Sequence, residues 1–221
     1  MNKRAYKDQV YGGLADLTKA LANPRRLEIV DLLAQGEFTV EDIARETSLT
    51  VANASQHLQV LKGVQLVSAT RDGHYLRYRL ANPDVYRAWQ LLRTYGVQRQ
   101  ASIARVVQDF RTQRGVLQTL SIDELLSKLD GEGVVLLDVR SADEYRQGHL
   151  PQAVSLPFAE LVGRLEELPR TGTIVAYCRG PFCVFADEAV QLLTAHGYAA
   201  VRLEEGFPDW KYRGLPYEMA K

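Results

Sequence analysis

Two cysteines, the only ones among the 221 residues, lie five positions apart at Cys178 and Cys183. The sequence from one to the other is CRGPFC, preceded by an apolar run at residues 173–177 and followed by helical spacing over about 185–196. A loop between a buried strand and a helix directs backbone N–H groups inward and adds the helix dipole, so it can hold an anion. The same field stabilises a thiolate or a persulfide. We therefore predict that this loop lowers the pKa of a cysteine thiol and makes that thiol reactive.

The residues predicted to complete the anion-holding loop are Arg179, Gly180 and Phe182. This chemistry needs neither a metal ion nor an organic cofactor. Cys183 has two open interpretations. It either resolves a persulfide or sulfenate on Cys178 into a disulfide or polysulfide bridge within the loop, or it only packs beneath the loop. Two inert buried thiols are the alternative for the pair. That alternative leaves the closeness of the two cysteines unexplained, and we predict reactive thiols.

The composition is that of a folded protein, with 46% hydrophobic and 24% charged residues. A net charge of zero conceals a division along the chain. Residues 1–115 hold 17 Lys and Arg against 11 Asp and Glu, a net charge of +6, and residues 116–221 hold 10 against 16, a net charge of −6. Such asymmetry suggests two units with different partners, of which the basic one is a candidate for binding nucleic acid. A basic solvated surface is the plainer alternative.

Neither a membrane span nor an export signal is predicted. The longest charge-free apolar runs, such as Val134–Leu137 and Thr173–Cys178, are far shorter than the ~20 residues that a spanning helix needs. Lys3, Arg4 and Lys7 lead into a mixed segment rather than an apolar one, which is not typical of a signal peptide. We expect a cytoplasmic protein that does not bind a membrane.

The first half of the chain has the pattern of a winged helix-turn-helix. Residues at helical spacing predict an amphipathic first helix, and these are Tyr6, Val10, Leu14, Leu17 and Leu21. Asn23, Thr39 and Thr50 are expected to cap the next three helices. The turn at 71–74 contains Asp-Gly between two strand-like runs, which predicts a hairpin.

The helix that follows Thr50 is predicted to enter the major groove of DNA, where amide, hydroxyl and imidazole groups bond base edges. The residues expected at the DNA are Thr50, Val51, Asn53, Ser55, Gln56 and His57 on or beside this helix, and Arg71, His74 and Arg77 on the hairpin. The hairpin residues suit contacts with phosphate or the minor groove. Taken one by one, all of them are also typical of an ordinary polar surface.

A long helical stretch is predicted from Pro83 to about Arg114. Its positions 85, 89, 92, 96, 99, 103, 106 and 110 alternate in steps of four and three, as in a helix-pairing seam. We favour a single helix that faces a partner, with a break near Tyr95 and Gly96 as the alternative. The linker is placed at 113–115, which gives two domains, 1–114 and 115–221.

The second half alternates apolar runs with helical segments, which predicts an α/β domain with a parallel sheet. The predicted strands are residues 134–139, 173–177 and 200–203. The predicted helices are residues 123–129, 143–146, 158–168 and about 185–196. The fold expected for the whole chain is therefore a mainly α winged helix-turn-helix followed by an α/β domain.

The N-terminal half resembles the ArsR family of bacterial repressors. The resemblance rests on the blocks LANPRRL at 21–27 and LTVANASQHLQVL at 49–61, and it extends over about residues 10–110. It implies a homodimer formed through the first and last helices of the domain, bound to a partly palindromic double-stranded operator. The metal-sensing thiols and histidines of that family have no counterpart in segments 39–44 and 83–114, so no metal site is expected.

The C-terminal half resembles the rhodanese family over residues 118–219. The blocks that carry the resemblance are LLDVR at 136–140, GHLPQAVSLP at 148–157, the cysteine loop, EGFPDW at 205–210 and GLP at 214–216. It implies that Cys178 is the nucleophile of the loop and carries sulfur as a persulfide. Related phosphatases have a Cys-x5-Arg loop, whereas the sixth residue after Cys178 here is Val184, which favours sulfur over phosphate chemistry.

The other notable residues of the second half are predicted to have structural rather than chemical roles. Asp138 and Arg140 are expected to support the loop through hydrogen bonds and an ion pair. His149 is expected in a turn, and His196 at a helix C-terminus. Phe207 and Trp210 are expected in the core.

The two resemblances together predict a one-component regulator. In this hypothesis a small sulfur donor or an oxidant modifies Cys178, and the modified loop changes affinity for DNA. An alternative is a thiosulfate or persulfide sulfurtransferase with an autoregulatory DNA-binding domain. A third possibility is a catalytically silent domain that docks a partner.

Overall fold

A computed structural model describes residues 1–115, 118–129 and 133–220. The chain divides into two compact units, Met1–Trp89 and Gln90–Lys221. This division falls earlier than the boundary predicted after residue 114. The reason is that residues 90–114 take part in the second unit, where Arg93 bonds Asp209 and Arg111 bonds the Pro181 carbonyl.

Unit 1 is a winged helix-turn-helix, as predicted. Its elements are α1 (Lys3–Leu21), α2 (Pro24–Leu33), β1 (Phe38–Thr39), α3 (Val40–Glu46), α4 (Val51–Gly63), β2 (Val67–Asp72), β3 (Tyr75–Leu80) and the beginning of α5 (Pro83–Arg99). The three strands form an antiparallel sheet in the order β1-β3-β2. Strand β1 is too short to give a sequence signal.

The three predicted helix caps of unit 1 are confirmed. The Asn23 side chain accepts from the backbone N–H groups at the start of α2, and the Thr50 hydroxyl accepts from the Asn53 N–H. Thr39 forms a reciprocal capping box with Asp42. Gly73, in the turn between β2 and β3, has a φ of +59°, a conformation that favours glycine. Local side-chain chemistry therefore sets the ends of these elements.

The core of unit 1 lies among α2, α3 and α4, where Ile29, Ile43 and Leu58 are fully buried. Helix α1 differs, since Ala20 is its only buried residue. The predicted apolar face of α1 is largely exposed within the single chain, at Tyr6, Val10, Leu14 and Leu17. This face is available to a partner of the chain.

Unit 2 is an α/β domain built on a parallel sheet. After the end of α5 its elements are α6 (Ala101–Gln113), β4 (Thr119–Leu120), α7 (Ile122–Leu129), β5 (Val134–Asp138), α8 (Ala142–Gln147), β6 (Val154–Ser155), α9 (Phe158–Leu161), a 3-10 segment (Val162–Glu167), β7 (Thr173–Tyr177), α10 (Val184–Ala195), β8 (Ala200–Leu203) and α11 (Phe207–Tyr212). The described strands are all parallel, in the order β4-β8-β7-β5-β6.

The helical stretch after Pro83 is not continuous. It ends at Arg99, and Gln100 adopts an extended conformation before α6 begins. The favoured single helix is therefore wrong, and the break falls after the alternative site at Tyr95 and Gly96. The residue of this stretch that enters the core of unit 2 is Arg93 rather than its apolar neighbour Leu92, which is exposed.

Both faces of the unit 2 sheet are covered, which explains the continuous apolar runs in its strands. Leu137 packs with residues of α9 and α10 on one face, and Leu136 packs with residues of α7 and α11 on the other. Strands β5, β7 and β8 are parallel, so their carboxyl ends meet at one edge of the sheet. This edge carries Asp138 and Cys178.

Candidate functional site

The two cysteines lie at opposite ends of the loop that joins β7 to α10. Cys178 directly follows β7, and Cys183 is the N-cap residue of α10. A disulfide bond joins them, with their Cα atoms 6.3 Å apart. The loop therefore occurs here in an oxidised form, in which the side chains predicted to be nucleophile and resolving thiol are bonded to each other.

The two sulfur-bearing residues differ in exposure. Cys178 is 1% exposed and packs in the core cluster that includes Val139, Ala176 and Ala186. Cys183 is half-buried, and its neighbours Phe182 and Val184 are 40% and 37% exposed. In the disulfide form, a reagent from solvent therefore meets Cys183 before Cys178.

Arg179 does not present its charge to a bound anion as predicted. Its guanidinium forms two parallel hydrogen bonds to the Glu144 carboxylate, of 2.7 and 2.8 Å. Burial raises the pKa of Glu144, but the hydrogen bonds and charge of Arg179 outweigh it and hold that pKa below its usual value. Because Glu144 is fully buried and ionised, it neutralises Arg179.

Asp138 and Arg140 form a buried ion pair beside the loop. The Asp138 carboxylate accepts from the Arg140 backbone N–H and from its guanidinium. Arg140 also donates to the Gly148 carbonyl at 2.7 Å. Burial acts to lower the pKa of Arg140, but the charge of Asp138 outweighs it and raises that pKa. The pair ties the end of β5 to the turn after α8.

Two further arginines hold the carbonyl groups of the cysteine loop. Arg202 of β8 donates to the Gly180 carbonyl at 2.8 Å, and Arg111 of α6 donates to the Pro181 carbonyl at 3.2 Å. Both guanidinium groups also approach the Asp187 carboxylate of α10, at 3.5 and 3.6 Å. Opposite charges on α6, α10 and β8 therefore converge behind the loop.

Several polar atoms of this buried charge cluster lack hydrogen-bond partners in the described part of the chain. Among the described residues, Asp187 Oδ1 and Arg202 Nε and Nη1 make no hydrogen bond within normal range. Burial raises the pKa of Asp187 despite the charges of Arg202 and Arg111, and burial lowers the pKa of Arg202 to about 10. Both shifts show that the charged forms are stabilised less than they are in water.

The start of α11 also packs against the cysteine loop. The Asp209 carboxylate accepts from Arg93 at 2.5 Å and from Gln90 at 2.7 Å, and it also accepts from the Gly206 N–H. Gly206 lies against the backbone of Arg179, so a Cβ atom at this position would overlap that backbone. The close approach explains the glycine.

The remaining accessory residues of unit 2 have structural contacts. His149 is buried, and its ring stacks on Tyr145. His196 is the C-cap of α10, as expected. Phe207 and Trp210 are buried in the core, also as expected.

The candidate DNA-binding residues lie on or beside α4 in unit 1. Ala54, Leu58 and Leu61 of α4 are buried, which leaves the rest of this helix at the surface. The exposed candidates are Thr50, Val51, Asn53 and Gln56, and the half-buried ones are Ser55 and His57. Hydroxyl, amide and imidazole groups therefore lie along the first two turns of α4, and groups of these types can form hydrogen bonds to base edges.

The hairpin candidates are less uniform. Arg71 and His74 are exposed at the tip, whereas Arg77 is half-buried and donates to Asp72 at 2.8 Å. That hydrogen bond raises the pKa of Arg77. Arg79, on the same strand and exposed, was not predicted and adds a further cation to this hairpin. Arg71 and His74 are thus more exposed than Arg77.

Sequence reasoning missed the residues that enclose the cysteine loop, namely Arg93, Arg111, Glu144, Asp187, Arg202 and Asp209. One signal was available, since Arg202 interrupts the short apolar strand at 200–203. No grouping of three or more His, Cys, Asp or Glu side chains that could hold a metal ion occurs within residues 1–115, 118–129 and 133–220. Over the same residues, every helix is too short or too polar to cross a bilayer.

Comparison with known families matches both units. Residues 23–69 match the bacterial regulatory protein, arsR family, and residues 121–213 match the rhodanese-like domain. The chain is 42% identical over 216 residues to the HTH-type transcriptional regulator Rv0324 of Mycobacterium tuberculosis, covering 98% of this chain and 93% of that protein.

Two further similarities cover one unit each. A sulfurtransferase of Allochromatium vinosum is 35% identical over 88 residues, which are 39% of this chain and 80% of that protein. The solution structure of a homodimeric winged helix-turn-helix DNA-binding domain from Mycobacterium bovis is 42% identical, with a TM-score of 0.43, and the match covers 45% of this chain and 91% of that one. The match to Rv0324 over nearly the full length, with the two domain matches, shows that the chain belongs to the ArsR family of transcriptional regulators and carries a C-terminal rhodanese-like domain.

Proposed function

We propose that this regulator senses sulfane sulfur, or an oxidant, through Cys178 and Cys183, and that the state of the loop sets its affinity for an operator. The observation that carries the proposal is the disulfide between these residues, in a loop that joins a buried strand to a helix. A reversible bond at this position gives the chain two discrete states. Those states are what a switch requires.

The sulfur reaction balances without a cofactor. In the reduced loop, the Cys178 thiolate attacks the outer sulfur of a polysulfide or persulfide, so that Cys178 becomes a persulfide and the donor leaves as a thiolate. The Cys183 thiolate then attacks the Cys178 Sγ atom, forms the disulfide and releases hydrosulfide. Two protein thiols are thereby oxidised, and one sulfane sulfur is reduced to sulfide. An oxidant gives the same disulfide through a sulfenate on Cys178.

The loop returns to the reduced state by thiol exchange. An external thiolate attacks the more accessible Cys183 sulfur, and Cys178 leaves as a thiolate. A second external thiol breaks the mixed disulfide, which yields the Cys183 thiol and one external disulfide. The Phe182 and Val184 side chains, exposed on either side of Cys183, are the surface that such a reductant meets first.

The DNA-bound form in this proposal is a homodimer on a partly palindromic operator, with one α4 helix in each half-site. Exposed apolar residues support this arrangement. On α1 they include Tyr11 and Leu14, and on the stretch after Pro83 they include Leu91 of α5 and Val106 of α6. Apolar faces of this kind are commonly buried between subunits. The first and last helices of the predicted DNA-binding domain would then form the dimer interface.

The proposal requires a coupling free energy between the loop and the DNA-binding surface. Couplings of this kind are typically ~1–3 kcal/mol, which correspond to about 5–150-fold in affinity. Because α5 begins in unit 1 and ends in unit 2, this helix is the segment common to both. We place the coupling in α5 and α6.

The test exposes reduced protein to inorganic polysulfide, then combines intact-mass analysis with a gel shift on the same sample. The DNA is a duplex selected by the protein from a random library. We expect wild type to lose two hydrogens, Cys183→Ser to gain one sulfur, and Cys178→Ser to form no loop disulfide and to keep its reduced-state affinity. Equal operator affinity of treated and untreated wild type would refute sensing at this loop.

The second candidate function is a sulfurtransferase, which the similarity to the Allochromatium vinosum sulfurtransferase supports. The pairing of Arg179 with Glu144 weighs against strong binding of thiosulfate. Steady turnover of thiosulfate, with operator affinity independent of the loop, would favour the enzyme. A silent docking domain would instead gain no sulfur from either donor.

A further inference from the structure

Helix α6 contacts the cysteine loop. The loop lies within the rhodanese-like match, whereas α6 precedes it, since the match begins at residue 121. Arg111 of α6 donates to the Pro181 carbonyl at 3.2 Å, and its guanidinium lies 3.6 Å from Asp187. Arg114, one turn later on the same face, lies 3.6 Å from Glu188 of α10. The Arg111 side chain is 11% exposed, so the contact is largely shielded from solvent rather than a surface pairing.

The carbonyl that Arg111 holds lies inside the ring that the disulfide closes. Pro181 stands between Cys178 and Cys183, and the Gly180 carbonyl in the same ring accepts from Arg202. When the S–S bond is intact, the ring limits where these carbonyl groups can lie. When the bond opens, the segment gains conformational freedom, and holding it against Arg111 costs entropy. The arginine contact therefore favours the disulfide form.

We infer that Arg111 is a positioning residue that couples the redox state of the Cys178–Cys183 loop to helix α6. The inference rests on the proposed function, because it names the residue through which that switch leaves the rhodanese-like domain. Asp187 contributes to the coupling, because it has no full hydrogen bond to either arginine and its carboxylate is compensated by the nearby charges of Arg202 and Arg111.

Linkage makes the coupling measurable without DNA. If the disulfide strengthens the Arg111 contact, then Arg111 stabilises the disulfide by the same factor. Reduction by glutathione converts the S–S bond and two glutathione thiols into two protein thiols and one glutathione disulfide. The equilibrium constant of this exchange in the full-length chain is the quantity that Arg111 sets.

The experiment compares wild type, Arg111→Gln and Arg105→Gln in glutathione redox buffers. Arg105 is the matched control, because it is an exposed arginine of the same helix. We expect Arg111→Gln to make reduction about tenfold more favourable, equal to about 30 mV for a two-electron couple, and Arg105→Gln to match wild type. An unchanged constant in Arg111→Gln would overturn the inference, since a residue that stabilises both states equally does not move it.

A second measurement on wild type does not depend on the variant folding. Hydrogen exchange of the α6 backbone amides is followed in the oxidised and the reduced chain. We expect exchange across residues 101–113 to become several-fold faster on reduction, and identical exchange in both states would contradict the coupling.

Operator binding then separates the two proposals. A shifted redox constant, with equal operator affinity of oxidised and reduced wild type, supports the role of Arg111 and rejects the proposed function. A redox-dependent affinity that Arg111→Gln retains in full, with an unshifted constant, rejects the role of Arg111 and leaves the proposed function standing.

Discussion

Helix α4 of unit 1 and the cysteine loop of unit 2 are candidate sites of opposite construction. On α4, Asn53 and Gln56 are exposed, and their side chains form no hydrogen bond with the described part of the chain. The cysteine loop is enclosed by buried charges that take its carbonyl groups as partners. The first arrangement suits a surface that bonds to another molecule, and the second suits a segment whose conformation depends on its own covalent state.

We expect single substitutions of the residues that enclose the loop to affect folding, and substitutions of the exposed residues of α4 to affect only binding. The largest effect is expected for Arg93→Ala, which leaves the buried Asp209 carboxylate without its charge partner. We expect the free energy of unfolding of unit 2 to fall by about 3–5 kcal/mol. Denaturant unfolding followed by Trp210 fluorescence in a Trp89→Phe background measures it. Arg105→Ala, an exposed control on α6, is expected to stay within ~0.5 kcal/mol of the background.

Replacing Glu144 by Gln is expected to have the next largest effect, because Arg179 then loses a charged acceptor. We expect a loss of about 1.5–3 kcal/mol at pH 7. The pKa of Glu144 lies below its usual value of 4.5, so its contribution is full above that value and is lost as pH falls through the folded pKa. The acid arm of unit 2 unfolding below about pH 4.5 should therefore be shallower in Glu144→Gln than in wild type. Identical acid arms would show that this ion pair does not carry the stability.

Gly206→Ala tests the close approach behind the loop. A Cβ atom at this position would overlap the Arg179 backbone, so we expect a loss of about 1–3 kcal/mol from overpacking. Gly163→Ala is the control, because nothing lies within 4 Å of a Cβ atom there. We expect thermal unfolding to show a lower melting temperature for Gly206→Ala than for Gly163→Ala. Equal melting temperatures would mean that the Arg179 backbone can move aside without loss of stability.

Gln56→Ala is expected to have the smallest effect on the fold and a specific effect on DNA. Its side chain is exposed, so the free energy of unfolding should change by less than ~0.5 kcal/mol. Loss of a base-edge contact should weaken operator binding by about 1 kcal/mol, roughly fivefold, and relax preference at one base pair. Competition between the selected duplex and single-base variants measures both, and unchanged discrimination would remove Gln56 from the interface.

The same contrast explains what sequence could predict. The caps at Asn23 and Thr50, the turn at Gly73 and strand β7 depend on neighbouring residues, and their positions were predicted closely. The loop partners depend on residues far apart, since Arg179 and Glu144 are separated by 35 positions and Arg93 and Asp209 by 116. Motif spacing located the cysteines, but only the folded chain shows that Arg179 is already paired.

The helix break at Gln100 has a similar origin. Alternating steps of four and three favoured a continuous helix, because Ile103 and Val106 continue the seam. In the structure these residues are 40% and 69% exposed, while Arg93 and Arg111 make the buried contacts. Val85 and Trp89, at the start of the seam, are buried as apolar residues. The end of α5 and helix α6 instead make their buried contacts through long polar side chains with distant partners, which hydrophobic periodicity does not detect.

A redox switch at the cysteine loop is tested by the operator dissociation constant of full-length wild type in two purified states, disulfide and dithiol, at one salt concentration. The states are verified by thiol titration, and the duplex is selected separately with each. We expect dissociation constants that differ at least about fivefold, and no difference between oxidising and reducing conditions for Cys178→Ser. Equal constants for the two states of wild type would contradict it.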